Sequence, residues 1–105
     1  MINLLKFNKK YYQQILDGKK TQTLRNHNKR LKEDEIIKAI FPGTNLEIKL
    51  QITKTGYKQF KYLNDEDAQL EGYNTINELK KDLLNIYPHT DLFDRFYYYR
   101  FKKIE

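Results

Sequence analysis

The chain of 105 residues has no cysteine, which excludes disulfides and thiolate metal sites. Its two histidines, His27 and His89, lie far apart without ligand spacing, so no metal and no protein-built zinc site is expected. Proline is confined to Pro42 and Pro88, glycine to Gly18, Gly43, Gly56 and Gly72, and no repeat, linker or low-complexity tract interrupts the sequence. A single domain spanning 1–105 follows, too small for a large interior ligand cavity. No apolar run approaches the roughly 18 residues of a membrane helix, and "MINLLKFNKK" has too short an apolar stretch for a signal peptide. The expectation is a soluble, cytoplasmic protein with no membrane partner.

What is abundant is aromatic and cationic. Nine Tyr and six Phe raise the aromatic share to 14%, enough for a thin core within an apolar fraction of 39%. The net charge of 20 − 14 = +6 is unevenly placed: residues 1–38 hold ten Lys or Arg against four acids, and the rest is balanced. Such clustering suits an anionic partner, because cations attract phosphates over about a Debye length, 8–10 Å at physiological salt. A merely solvated lysine-rich surface is the plain alternative.

"INLLKF" (Ile2–Phe7) reads as a strand, after which Asn8 caps a short helix stopped by Gly18. "EIIKAIF" (Glu35–Phe41) reads as a second strand, closed by the turn Pro42–Thr44. In "NLEIKLQITKTGYKQF", Leu46, Ile48, Leu50 and Ile52 alternate with Glu47, Lys49, Gln51 and Thr53, the period of a strand with one buried face. "NDEDAQLEGY" predicts a helix over Asp65–Glu71. "TINELKKDLLNIYP" carries the capping box Thr75/Glu78 and the stripe Ile76, Leu79, Leu83, Ile86, and Arg95–Ile104 reads as an aromatic strand within a curved sheet. The fold class is α+β, with a small barrel and helices packed at one side.

The chemistry concentrates in "GKKTQTLR", Gly18–Arg25. In an extended chain Thr21, Thr23 and Arg25 share one face and Lys20 the other, so Lys20 and Thr23 meet only if the chain bends after Gly18. A threonine hydroxyl attacks a carbonyl only when a base takes its proton, and a lysine, ordinarily protonated below about pH 10.4, must first be neutral. The bland reading is that Lys20 neutralises an acid. Glu71, in the last turn of its helix, sits where the helix dipole disfavours a carboxylate, which points to a lysine or a reacting proton holding it; an exposed end-of-helix acid is the more common, bland reading.

At these clusters the sequence resembles the ASCH family, a small relative of the PUA-like barrels. The resemblance rests on "ILDGKKTQTLR" (Ile15–Arg25), similar to a G-x-K-x-x-T-x-R pattern through Gly18, Lys20, Thr23 and Arg25, and on "DAQLEG" through Ala68, Glu71 and Gly72. One departure is Asp34 where the family usually has glycine. The resemblance implies a PUA-like β-barrel and, through the short bacterial members, an amidohydrolase acting on N4-acetylcytidine or a related acylated nucleoside. Carried over, Thr23 attacks, Lys20 handles the proton, Glu71 assists, and Arg25 and Thr21 contact substrate, with no cofactor. The alternative is a non-catalytic nucleotide- or RNA-binding module using the same cleft, in which Lys19, Lys29, Arg30 and Lys32 contact phosphates. An RNase-like reading would rest on His27 alone.

Overall fold

The computed structural model describes residues 2–104. Five strands, β1 (Leu4–Lys6), β2 (Gln22–Arg25), β3 (Ile36–Ile40), β4 (Glu47–Gln59) and β5 (Arg95–Lys103), form one sheet in the order β1-β3-β4-β5-β2. Only β1 and β3 pair in parallel; the other neighbours are antiparallel. Helix α1 (Tyr12–Leu16) follows a 3₁₀ turn capped by Asn8, and α2 (Asp65–Leu70) and α3 (Ile76–Ile86) lie together between β4 and β5 in sequence. None of the described helices is long and apolar enough to cross a membrane.

The sheet does not close into a barrel, contrary to the expectation from the sequence. Its edge strands, β1 and β2, have three and four residues, and no backbone ladder joins them. The gap is bridged by a side chain: Arg25 Nη2 on β2 donates to the Lys6 carbonyl at the end of β1, 2.9 Å away. This seam is where the candidate site lies.

Alternation along β4 and β5 sends side chains to two cores. Ile48, Leu50 and Ile52 of β4 join Tyr99 and Phe101 of β5, Ile37 and Ala39 of β3 and Leu5 of β1 in one cluster under α1. Phe96 packs on the other face with Leu24, Ala68, Leu79 and Leu83, beneath α2 and α3. Leu46 departs from the alternation because it precedes β4 and is exposed. Asp34 takes the left-handed conformation directly, with φ 69°, so the turn keeps its shape without glycine. Aspartate adopts that region more readily than most residues.

Both later helices begin with reciprocal capping boxes, Asn64 with Asp67 and Thr75 with Glu78. Asp67 does more than cap. Its fully buried carboxylate accepts from Gln22 Nε2 of β2 at 3.2 Å and pairs with Lys58 of β4 at 2.9 Å. Gln22 in turn accepts from Arg100 Nε of β5. These bonds fix α2 against three strands and hence fix Glu71, its C-cap residue. The exposed cap of α3 has a simpler role: Thr75→Ala should cost about 1 kcal/mol, read by urea denaturation, with no change in the shape of the folded-state spectrum.

Candidate functional site

After α1 the chain turns at Gly18, which has φ 77°, and the amides of Lys19 and Lys20 both donate back to the Gln14 carbonyl. The resulting bend drives the Lys20 side chain inward before β2 begins. Lys20, Thr23 and Glu71 are each only 4% exposed, and all three line one cavity of about 310 Å³ in the seam between β1 and β2.

Lys20 Nζ lies 2.9 Å from Glu71 Oε1 and 3.4 Å from the Glu71 carbonyl oxygen. It also sits 4.9 Å from the centroid of the Tyr11 ring, a cation–π arrangement. Burial pushes the Glu71 carboxyl above its ordinary pKa, and the Lys20 ammonium opposes that rise. Glu71 Oε2 is buried and has no hydrogen-bond partner among the described residues. An unsatisfied buried carboxylate oxygen costs energy, and the nearby Gln22 side chain, with Lys20, opposes the rise in the Glu71 pKa.

Thr23 Oγ1 accepts from Arg25 Nε at 3.1 Å. Arg25 therefore reaches two targets with one rigid fork, the Thr23 hydroxyl and the Lys6 carbonyl, while its guanidinium lies 5.0 Å from the Phe7 ring. Burial lowers its pKa from the ordinary arginine value. Lys20 and Thr23 are not hydrogen-bonded to each other; the amine is engaged by Glu71 and the hydroxyl by Arg25.

The remaining residues singled out from sequence separate. Thr21 does not line the cavity; its amide donates to the Leu70 carbonyl and its carbonyl accepts from the Phe101 amide. Lys19, exposed beside Gly18, and Lys29, half-buried in the loop after β2, both lie outside the cavity. Arg30 and Lys32 line a different groove on the sheet. His27 is exposed and hydrogen-bonds its neighbour Asn26.

The structure adds a polar trio that the sequence did not signal. Asp82, projecting from α3, accepts from the hydroxyls of Tyr11, at 3.0 Å, and Tyr73. Burial raises the pKa of both phenols. Tyr11, Tyr73 and Asp82 line the cavity, with Lys6 and Lys10 beside them. Tyr11 is separated from Tyr73 and Asp82 by more than sixty residues of chain, so no local spacing announces the trio. Among the described residues no group of three His, Cys, Asp or Glu side chains is placed to hold a metal ion.

An open five-stranded mixed sheet with this helix placement is the ASCH-domain fold. An ASCH domain from Lactobacillus crispatus superposes with TM-score 0.80 at 13% identity, over 97% of this chain and 79% of that one. A protein from Enterococcus faecalis gives 0.78 at 15%, covering 99% and 77%, and an ASCH protein from Zymomonas mobilis gives 0.70 at 12%, covering 97% and 71%. No family model and no curated protein matches the sequence.

Proposed function

We propose that the protein is an amidohydrolase that removes the acetyl group from N4-acetylcytidine or a closely related acylated nucleoside. The observation that carries this reading is the buried Lys20–Glu71 pair in the same cavity as Thr23, with one oxygen of Glu71 left without a partner. A purely structural ion pair has no need to line a cavity beside a threonine hydroxyl.

Thr23 Oγ1 attacks the acetyl carbon, and its proton passes to the Lys20–Glu71 pair. Burial favours the carboxyl's protonated form, and transfer of a proton from the Lys20 ammonium to Glu71 gives the amine the free lone pair it needs to act as base. Collapse of the tetrahedral intermediate breaks the C–N bond as the pair returns the proton to the departing exocyclic nitrogen. Water then attacks the acyl-threonine, the pair again taking and returning the proton, and acetate leaves. The Arg25 guanidinium, already donating to Oγ1, stabilises negative charge that develops on that oxygen.

Incubation of the purified protein with N4-acetylcytidine, followed by loss of the acetylated base's absorbance, tests the reading; absence of turnover rejects it. Arg25→Lys should lower kcat by about ten- to a hundredfold in that assay. An ammonium lacks the rigid planar fork whose separate nitrogens, Nε and Nη2, reach Thr23 Oγ1 and the Lys6 carbonyl. Nucleotide binding without chemistry in the same cleft is the second reading. It is weakened by the location of Lys19, Lys29, Arg30 and Lys32 outside the cavity.

A further inference from the structure

The seam cavity has two ends. Lys20, Thr23 and Glu71 lie almost wholly buried at its floor, whereas the side chain of Asp82 on α3 is 22% exposed and stands nearer the mouth. Tyr11 spans the two, its ring 4.9 Å from Lys20 Nζ and its hydroxyl donating to Asp82 Oδ2. We propose that Asp82, with Tyr11 and Tyr73, forms a specificity subsite that receives the 2′ and 3′ hydroxyls of the nucleoside's ribose.

The trio is polarised. Tyr11 and Tyr73 both donate to the same oxygen, Asp82 Oδ2. Burial raises both phenols above the ordinary tyrosine pKa, which keeps those protons in place. Asp82 Oδ1 accepts no hydrogen bond among the described residues, and Lys10 Nζ, on a mostly exposed side chain, is 4.0 Å from it. With its protons turned inward, the trio offers a ligand only acceptors, the lone pairs of Oδ1 and of the two phenol oxygens.

Such a surface selects donors. The ring nitrogen and carbonyl of an acetylated cytosine are acceptors, and its one N–H is part of the amide to be broken at Thr23. The sugar hydroxyls supply the donors, and adjacent hydroxyls suit clustered acceptors. A carboxylate accepting from a ribose 2′-hydroxyl is a recurring device in nucleotide sites. Leu79 and Leu83 line the same cavity and give the pyrimidine apolar surface. A volume of about 310 Å³ is at the lower bound of small-molecule sites, roughly 300–1,000 Å³, which is room for one nucleoside.

The subsite rests on the proposed reaction for the choice of nucleoside, and cytidine, which has no acetyl group, tests it apart from turnover. In isothermal titration calorimetry the wild-type protein should bind cytidine about ten- to a hundredfold more tightly than 2′,3′-dideoxycytidine, the range of a hydrogen bond to a charged group. Asp82→Asn should weaken cytidine by about that factor and leave dideoxycytidine within about twofold. A merely structural role for Asp82 would weaken both ligands alike. Should Asp82→Asn fail to fold in a urea titration, Tyr73→Phe decides: it removes one acceptor, keeps the carboxylate, and should cost cytidine alone about three- to tenfold. No cytidine binding, equal affinity for the two nucleosides, or a parallel loss of both in the folded variant would each overturn the subsite. A protein that prefers cytidine in this way without deacetylating its acetylated form keeps the subsite and loses only the reaction.

Discussion

Thr23→Ala is expected to reduce N4-acetylcytidine hydrolysis by at least about a thousandfold while leaving the fold intact. The magnitude follows from removing the nucleophile itself rather than a group that assists it, since the remaining donors only bind and polarise. The fold survives because Thr23 contributes one hydroxyl, held by Arg25, and its backbone remains paired with Tyr99 of β5. Thr23→Ser restores a hydroxyl at the same place and should recover activity to within about tenfold. A fully active Thr23→Ala enzyme would remove this residue from the mechanism and return the acyl-threonine step to the blank page.

Lys20→Met is expected to lower stability by about 3–5 kcal/mol, the usual consequence of stranding one partner of a buried ion pair. In a domain of this size the melting temperature should fall by more than roughly ten degrees. Adding Glu71→Gln should restore much of the loss, because the amide no longer carries a charge into the cavity. The pH dependence has a definite sign. Burial raises the folded-state pKa of Glu71 above its unfolded value near 4.5, so the favourable contribution of its protonated form is fully present below that value. It is lost as pH rises through the folded-state value. Moving from pH 7 towards 4.5 should therefore stabilise Lys20→Met relative to the double variant, in which position 71 does not titrate. Urea titrations of the two proteins at both pH values measure the difference, and a flat difference across that range would contradict the assigned shift.

The parts of the fold that were legible in the sequence are those written in local chemistry. The capping box at Thr75 and the stripe through Leu79 and Leu83 place α3, and the alternation from Ile48 to Ile52 places β4. The bend at Gly18 is equally local, and its positive φ follows from the absence of a side chain. Barrel closure was not legible, because it depends on whether two edge strands meet, and three residues of β1 offer too little backbone to recruit β2. The expectation that something holds Glu71 is met by Lys20, a partner that only the tertiary arrangement brings within 2.9 Å. Asp82 was missed for the same reason. On the helix it is one acid near two lysines, and only the approach of Tyr11 and Tyr73 from elsewhere makes it part of the cavity. The basic residues after Arg25 were visible as charge, but their separation from the cleft is a property of the loop that Tyr99 anchors.

The unfinished seam sets reactivity against rigidity. One guanidinium serves as both fastener between the sheet's margins and donor to the Thr23 hydroxyl, so under the proposed reaction the seam cannot be tightened there without altering the chemistry. Any redesign that lengthened β1 until its backbone zipped to β2 would give a sturdier cylinder and, in the same stroke, brick up the doorway through which a substrate must pass.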